Sequence, residues 1–199
     1  MSTVVFFVRH VSHVDLGRRL SGRAPHVPPS AAGLAEAAQL ALRFGRETIA
    51  AIHTSPLERA RATAAAIAAR LGIGVEISPA LNEVDFGRWT GMSFDELRSD
   101  PEWTRWNEHR ASARPPGGET MAAAQARAVA HVEHVAAAHS GHGIVLVSHG
   151  DTIRAVIAHY LGLPLDNLLR FDVDPASVSS LLVGSWGGRV VSLNEKLAA

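Results

Sequence analysis

Runs of apolar residues alternate with helical periodicity along the chain. Residues 3–8 (TVVFFV) and 143–150 (GIVLVSHG) contain unbroken apolar runs rich in β-branched residues, which is typical of strands buried on both faces. Segments 30–45 and 119–139 instead repeat apolar residues every three or four positions, as helices with one buried face do. Strands that alternate with helices form α/β proteins, so the pattern predicts three layers, α/β/α, around a mostly parallel central sheet.

Shorter signals complete this order of elements. We predict short strands at 50–55 and 74–78 and a closing hairpin within 177–195. Ser55 is followed at once by proline and three positions later by glutamate, which predicts that the second helix begins directly after a Ser55 cap. The residues that we place on the apolar face of the first helix are Leu34, Ala37, Ala38 and Ala41.

Residues 85–118 do not follow the alternation. They contain three of the four tryptophans, several glycines and the helix-start signal Asp100-Pro101. We interpret this segment as a small helical cap that walls a pocket. The alternative is a solvated insertion with no role beyond packing. At 199 residues the chain fits one domain, residues 1–199, with this cap inserted in it.

Composition narrows the classes of function. The formal net charge is zero, which argues against wholesale binding to nucleic acid or acidic membranes. The chain has no cysteine, which excludes disulfides, thiolate metal sites and a cysteine nucleophile. No basic leader precedes the first apolar run, and no window approaches the ~20 apolar residues of a membrane helix. We therefore expect a soluble, cytoplasmic protein that binds a small molecule rather than nucleic acid or membrane, and a homodimer stays open.

Polar groups follow the predicted strands at their carboxyl ends, where ligands bind in open α/β sheets. Both buried strands run into a histidine, the second strand leads to a helix with an early arginine, and a glutamate follows the third strand. Parallel topology alone would bring these groups to one edge of the sheet. The residues concerned are Arg9, His10, Arg59, Glu83, His149 and Gly150.

These residue types suit phosphoryl transfer. Arginines offer forked, permanently charged donors to phosphoryl oxygens. A neutral imidazole can attack phosphorus and hold it as phosphohistidine, while a second histidine can donate to an oxygen that gains charge. A carboxylic acid can protonate the leaving oxygen, which is worth typically ~10²–10⁴ in rate. This chemistry requires neither a metal nor another cofactor.

The sequence resembles the histidine phosphatase superfamily, which has the phosphoglycerate mutase-like fold. The resemblance rests on VRHV, SGRAPHVPPSAAG, TSPLERARATA, LNEVDFGRWTG, PGGET and VLVSHGDTIR, which occur in family order over almost the whole chain. It implies His10 as nucleophile, Glu83 as proton donor and His149 as the second pocket histidine. It also implies Arg9 and Arg59 as phosphate clamps, and the segment FGRWTG looks like the phosphatase branch.

Two further groups of residues complete the predicted site. The residues that we assign to the pocket wall are Ser12, His13, Arg23, Phe86 and Trp89. The residues that we interpret as ordinary surface cations are Arg61, Arg127 and Arg154, of which Arg154 is placed to buttress the site. The phosphate contacts are predicted to come from Arg9, Arg59, His149 and Gly150.

The sequence departs from the family pattern directly after the nucleophile. Val11 stands where the family usually has glycine, and Asp15 lies near the place of a phosphate-binding asparagine. A β-branched residue disfavours positive φ, so we expect negative φ at Val11. A backbone carbonyl near position 11 should then accept His10 Nδ1–H and leave Nε2 as the nucleophile. We expect Asp15 to point away from the phosphate.

Three functions fit this sequence. The first is a metal-independent phosphomonoester hydrolase that acts on a small phosphorylated metabolite through a phosphohistidine. The second is a phosphoglycerate mutase, which uses the same site but resembles longer chains with a lid that excludes water. The third is a non-catalytic phosphate-ligand-binding protein of the same fold. A metal site is disfavoured, because His131, His134, His139 and His142 lack a carboxylate-rich partner strand and fit a solvated helix face better.

Overall fold

The computed structural model describes residues 1–196 and has an α/β/α architecture. Its strands are β1 (Thr3–Arg9), β2 (Ile49–Thr54), β3 (Glu76–Ile77), β4 (Gly143–Ser148), β5 (Val178–Gly184) and β6 (Gly187–Glu195). Its helices are α1 (Ala31–Phe44), α2 (Glu58–Leu71), α3 (Phe94–Arg98), α4 (Pro101–Glu108), α5 (Met121–Ala138) and α6 (Gly150–Leu161). Short 3₁₀ turns cover Pro79–Leu81, Gly87–Trp89 and Leu165–Arg170. The predicted fold class is confirmed.

The six strands form one sheet in the order β3-β2-β4-β1-β5-β6. Strands β3, β2, β4 and β1 run parallel, and β5 and β6 close the sheet as the antiparallel hairpin that the sequence predicts. In the pairing of β1 with β4, Arg9 lies opposite Ser148. The residues that follow these two strands, His10 and His149, therefore emerge side by side.

The core has one cluster on each face of the sheet. Val5 and Phe7 of β1 face the layer of α5 and α6, whereas Val8 faces α1 and α2. The apolar repeat that predicts a buried face for segment 119–139 is confirmed in α5, where Met121, Ala124, Ala128, Val132 and Val135 are all buried. Strands covered on both faces explain why β1 and β4 lack the polar alternation of a half-exposed strand.

Two local predictions are wrong. The second helix begins at Glu58, with Leu57 rather than Ser55 at its cap position; the Ser55 hydroxyl accepts from the Leu57 N–H over 3.3 Å and also bonds Asn82 and His149. In α1 the buried face contains Gly33 rather than Leu34, which is 62% exposed. A Cβ at Gly33 would lie 1.9 Å from the backbone oxygen of Ser12, so this glycine lets α1 pack closely against the loop after β1.

The predicted cap packs on the α5 and α6 layer. Its short helices α3 and α4 start at Ser93 and Asp100, which both cap the helix with their side chains. Trp106 is fully buried in a third apolar cluster that also includes Met121 and Ala155. No helix within residues 1–196 is both long enough and apolar enough to cross a membrane.

Candidate active site

His10 lies at the carboxyl end of β1 and is only 3% exposed. Its backbone N–H donates to the oxygen of Ser148, which fixes its position beside β4. Its Nδ1 lies 2.8 Å from the carbonyl oxygen of Val11, and Arg59 Nε–H donates to its Nε2 over 3.2 Å. A carbonyl can only accept and a guanidinium can only donate. The hydrogen-bond network therefore assigns the proton to Nδ1 and leaves a lone pair on Nε2.

Val11 supports this arrangement as the sequence predicts. It is fully buried, and among the described residues positive φ outside glycine occurs only at His26, Ala176 and Asn194. Its N–H donates to Thr63 Oγ1 over 3.1 Å, and the Thr63 hydroxyl in turn donates to the carbonyl of Arg59. The turn is therefore held from α2, with its carbonyl directed at the His10 ring. The predicted bond and the negative φ at Val11 are both confirmed.

Two arginines place unpaired donors in this site. Arg59, in the first turn of α2, is 2% exposed and donates through Nη2 to the carbonyl of Gly22 over 2.6 Å. Arg9 donates through Nη1 to the carbonyl of Val173 over 2.7 Å. Arg59 Nη1 and Arg9 Nε are buried and have no partner in the described part of the chain. Buried unpaired donors of this kind are rare. Because both belong to positively charged guanidinium groups, they suit an anionic ligand.

His149 is completely buried and has a partner at each ring nitrogen. Its Nδ1 lies 3.3 Å from Arg59 Nη2, which can only donate, so Nε2 carries the proton in the neutral ring. Nε2–H then donates to Ser55 Oγ over 2.7 Å, and Ser55 donates to Asn82 Oδ1 over 3.1 Å. The next residue, Gly150, starts α6. A Cβ there would lie 3.5 Å from Arg9 Nε, an ordinary van der Waals contact, so Gly150 lies directly beside this guanidinium.

Burial and positive charge keep both histidines neutral. Burial first, and then Arg59, hold the pKa of His10 well below its usual value. The same two causes lower the pKa of His149. Burial also lowers the pKa of Arg59, to about 10, so this guanidinium is still charged at neutral pH. The site thus combines uncharged imidazoles with fixed cations, which suits an anionic ligand and a nitrogen nucleophile.

Glu83 follows the 3₁₀ turn after β3 and reaches the same site. Its Oε1 accepts from the backbone N–H groups of Val84 and Thr152, over 3.0 and 3.2 Å. Its backbone carbonyl accepts from Arg23 and Arg127, over 2.8 and 3.2 Å. Burial first, and then the nearby Asp151, raise the pKa of Glu83. A carboxyl group that favours its protonated form is suited to donate a proton.

A cavity of about 310 Å³, covered by the cap, is lined by Arg9, His10, Arg59, Glu83 and Gly150, whereas the fully buried His149 is not part of its lining. Of the predicted wall residues, His13 and Phe86 line it. Burial and two nearby arginines lower the pKa of His13 to about 4, so its ring is also neutral. The remaining lining side chains from the cap and from the loops around it are Leu16, Arg19, Leu20, Phe94, Trp103, Asn107, Arg110 and Leu169. The expectation that Asp15 points away also agrees with the lining, because Asp15 is not part of it.

Three predicted wall residues do not line this cavity. Ser12 turns towards α1, where its N–H and its hydroxyl both donate to Glu36. Trp89 is buried in the cap and donates to Asp100. Arg23 donates to Glu119 over 2.6 Å and borders a separate groove of about 780 Å³, which contains none of the groups that carry the chemistry. These three residues lie close to the site in sequence, but hydrogen bonds to partners outside the cavity hold their side chains away from it.

Several residues that sequence reasoning missed hold the predicted ones in place. Arg127, interpreted as a surface cation, binds the carbonyls of Ala80 and Glu83 and the carboxylate of Glu119, so that interpretation is wrong. Ser55 and Thr63 each position one histidine. In the sequence, only their membership of the family motifs TSPLERARATA and PGGET indicates a role for Ser55, Thr63 and Glu119.

The histidine-rich part of α5 is only partly a solvated face. His134 is exposed, whereas the half-buried His131 ring lies 5.2 Å from the ring of His53 on β2. Its Nδ1 lies 3.4 Å from Ser78 Oγ. Within residues 1–196, no group of three or more histidine, aspartate or glutamate side chains is arranged to hold a metal ion. The histidine-rich stretch of α5 therefore offers no assembled metal site among these residues.

Comparison with known proteins gives consistent results. Residues 5–196 match the family model "Histidine phosphatase superfamily (branch 1)". The chain is 30% identical over 164 residues to phosphoserine phosphatase 1 of Hydrogenobacter thermophilus, which covers 81% of this chain and 78% of that protein. It is 27% identical over 197 residues to the adenosylcobalamin/alpha-ribazole phosphatase of Escherichia coli, covering 98% and 92%. A mycobacterial glucosyl-3-phosphoglycerate phosphatase has a similar structure, with a TM-score of 0.89 and 26% identity over 98% of this chain and all of that one.

Proposed function

The chain belongs to the histidine phosphatase superfamily, and from this premise we propose that it is a metal-independent phosphomonoester hydrolase. It acts on a small phosphorylated metabolite through a phosphohistidine at His10. One observation carries the proposal. The guanidinium groups of Arg9 and Arg59 each keep a buried, unpaired N–H beside a neutral imidazole whose Nε2 lone pair is occupied only by the N–H of Arg59.

Binding is the first step. A phosphate dianion between Arg9 and Arg59 supplies acceptors for the unpaired N–H groups. Arg59 Nε–H, which donates to His10 Nε2 in the unliganded site, then turns to a phosphate oxygen. That exchange frees the lone pair of His10 at the moment when phosphorus comes within reach. The first step thus couples recognition of the phosphate to exposure of the nucleophile.

Transfer to the enzyme follows. His10 Nε2 attacks phosphorus, and the bond between phosphorus and the leaving oxygen breaks. The Nδ1–H bond to Val11 stabilises the charge that develops on the ring. Glu83 gives its proton to the leaving oxygen, so that an alcohol departs. Its Oε2 is the oxygen suited to carry this proton, because Oε1 already accepts two backbone N–H groups.

Hydrolysis restores the enzyme. Glu83, now a carboxylate, takes a proton from water, and the water oxygen attacks the phosphohistidine. The bond between phosphorus and His10 Nε2 breaks, and inorganic phosphate leaves. The arginines face the oxygens of the phosphoryl group through both steps, where they stabilise the transition-state charge. His149 Nδ1 accepts from Arg59 and so holds that guanidinium in place.

A small substrate is supported by the size of the cavity, about 310 Å³. The relatives named as phosphatases of phosphoserine and of alpha-ribazole or adenosylcobalamin also point to metabolites. The wall combines apolar side chains such as Phe86 and Trp103 with arginines. It therefore suits an organic group that is partly apolar.

The leaving group tests the proposed role of Glu83. With chelator present, the protein should release nitrophenol from p-nitrophenyl phosphate and inorganic phosphate from an alkyl phosphate. Glu83→Gln should lose ~10²-fold or more in kcat/KM on the alkyl ester and far less on the nitrophenyl ester, whose leaving group needs little protonation. Asp85→Asn, which changes a neighbouring carboxylate outside the cavity, is the matched control and should affect both substrates equally and weakly.

Other results would overturn the proposal. Equal losses on both esters would remove Glu83 from the role of proton donor. Isomerisation of 3-phosphoglycerate without free phosphate would favour the mutase. No turnover across a broad panel of phosphoesters, together with no acid-labile phosphoprotein, would leave a binding protein.

A further inference from the structure

Asp151 places a carboxylate in a cavity that is otherwise built to bind an anion. It occupies the first turn of α6, directly after Gly150, and lines the cavity. Arg110 Nη1 donates to its Oδ2 over 2.7 Å, and Arg154 Nη1 donates to its Oδ1 over 3.3 Å. Two of the cavity's arginines thus share the single negative charge of Asp151, while Arg9 and Arg59 stay available for a phosphate dianion.

Arg110 belongs to the cap rather than to the sheet. It follows α4, its guanidinium lies 4.9 Å from the centre of the Trp106 ring, and its Nη2 donates to Asn107 Oδ1 over 2.7 Å. Its side chain is only 5% exposed. A buried arginine with a fixed partner on each side holds its carboxylate in one geometry. The ion pair therefore ties the end of the cap to the first turn of α6.

That first turn also holds Glu83. Thr152 follows Asp151, its N–H donates to Glu83 Oε1, and its hydroxyl lies 3.2 Å from the same oxygen. Asp151 and Glu83 therefore both line the cavity, and the residue next to Asp151 is bonded to Glu83. Two carboxyl groups that share a site disfavour double ionisation, so a fixed negative charge on one favours a proton on the other.

We propose that Asp151 is a positioning residue that couples the cap to the proton donor: held by Arg110, its negative charge faces Glu83 and favours the protonated form of that carboxyl group. The inference rests on the proposed function, because it requires Glu83 to donate the proton. The two carboxyl groups also differ in the way that the proposal requires. Burial opposes ionisation of Asp151, but Arg110 and Arg154 outweigh it and lower its pKa, whereas burial and Asp151 raise the pKa of Glu83.

Other charges around Glu83 act in the opposite direction. Arg9 of β1 and Arg59 of α2 lower its pKa, and Arg23 and Arg127 bind its backbone carbonyl. The remaining ionisable groups that share its cavity are His10, His13, Arg19, Arg110, Asp151 and Arg154. Asp151 is the negative charge that opposes these cations. Without it, burial alone would oppose the charges of Arg9 and Arg59, so the balance at Glu83 would shift towards the carboxylate.

Two substitutions break the same ion pair with opposite electrostatic consequences. Asp151→Asn keeps the shape of the side chain but leaves Arg110 and Arg154 uncompensated, which favours the Glu83 carboxylate. Arg110→Met leaves Asp151 less neutralised and removes a cation, which favours the Glu83 acid. On an alkyl phosphate, the basic limb of the pH profile of kcat/KM should move to lower pH in Asp151→Asn and to higher pH in Arg110→Met. At a fixed pH above the pKa that defines the basic limb, a shift of one pH unit in that pKa changes kcat/KM about tenfold.

A purely structural link between cap and α6 predicts a different result. Loosening the cap would lower kcat/KM in both variants without moving the limbs in opposite directions. Asp166→Ala is the matched control, because Asp166 accepts from the backbone N–H of Ala111 at the same end of the cap but does not line the cavity. It should leave the basic limb in place. The leaving group of p-nitrophenyl phosphate needs little protonation. On this substrate, neither Asp151→Asn nor Arg110→Met should therefore shift the basic limb of the pH profile.

The outcomes separate this inference from the proposed function. If Glu83→Gln is sensitive to the leaving group and the limb of Asp151→Asn stays at its wild-type pH, the role of Asp151 is wrong and the hydrolase stands. If both ion-pair variants move the limb in the same direction, the link is structural only. If Glu83→Gln lowers kcat/KM equally on both esters, the assignment of Glu83 as proton donor is wrong, and the inference about Asp151 fails with it. Should Asp151→Asn not fold, the upward shift in Arg110→Met still decides between the two roles.

Discussion

The two histidines of the site, His10 and His149, begin from nearly equivalent places. Each follows one of two adjacent parallel strands, and the preceding residues Arg9 and Ser148 are partners across the sheet. Their ring centres are 5.0 Å apart, and burial lowers the pKa of both. Sequence pattern alone does not distinguish their roles, since each is a histidine at the end of a buried apolar strand.

The two histidines differ in the backbone that comes after each strand. After β1 the chain enters a loop, and the carbonyl of Val11 turns back to bind His10 Nδ1. After β4 the chain starts α6 at once, with His149 at the cap position, and within residues 1–196 its ring makes no hydrogen bond to a backbone carbonyl. Side chains bind both of its nitrogens instead. The backbone after each strand thus decides that His10 keeps a lone pair on Nε2, whereas His149 has both nitrogens bonded and serves as a fixed polar group.

The largest effect should separate the two histidines directly. His10→Ala removes the nucleophile, so we expect kcat/KM to fall by on the order of 10⁴-fold or more and the acid-labile phosphoenzyme to disappear. His149→Gln removes the ring that holds Arg59 beside the phosphoryl oxygens, and should cost at most ~10²–10³-fold, the scale of one transition-state donor. Rapid mixing with radiolabelled substrate, followed by quenching in base, measures both the rate and the label.

The label is the decisive measurement. His149→Gln should still form the phosphoenzyme, only more slowly. If His10→Ala retained the phosphoenzyme label and His149→Gln lost it completely, the two assignments would be reversed.

A smaller effect should come from the hydroxyl groups behind each ring. Ser55→Ala removes the partner of His149 Nε2, and the loss of one neutral hydrogen bond predicts a decrease in kcat of about tenfold or less. Thr63→Val removes the acceptor of the Val11 N–H and leaves a buried donor unpaired, which should cost about 1–3 kcal/mol in the free energy of unfolding. Urea denaturation and steady-state kinetics on both variants measure the two effects.

These hydroxyl variants sharpen the contrast because each acts on one ring. The fraction of active sites that form phosphoenzyme should stay unchanged in Ser55→Ala. If Ser55→Ala abolished the phosphoenzyme, His149 would be more than a fixed polar group.

Much of this site could be predicted because strands and local chemistry determine it. Buried apolar runs end at Arg9 and at Ser148, so the positions of both histidines follow from where the runs stop. The hydrogen bond of His10 Nδ1 followed from the β-branched side chain at position 11, which restricts φ. These inferences needed only neighbouring residues.

The rest depends on partners that lie far apart in sequence. Arg110 and Asp151 are separated by 41 positions, and their contact depends on how the cap packs on α6. Phe86 lines the cavity and Trp89 does not, although both are aromatic and lie in the same short segment. Ser55 has the spacing of a helix cap, yet its hydroxyl bonds His149 over 2.7 Å and the backbone N–H of Leu57 over only 3.3 Å, so its closer partner belongs to the site. Local propensity cannot decide between such competing partners.

The last prediction requires no substitution and tests the contrast at the level of single protons. In the unliganded protein, ¹⁵N spectra should show His10 protonated at Nδ1 and His149 protonated at Nε2. Because the pKa of each ring is lowered, neither should gain a proton as the pH falls through 6.5. The unfolded chain does gain protons there, so the free energy of unfolding should decrease as the pH falls below 6.5. If His10 carried its proton at Nε2, or if it titrated near pH 6.5, the bond to Val11 would not select the nucleophile, and the difference between the two strand ends would have no chemical consequence.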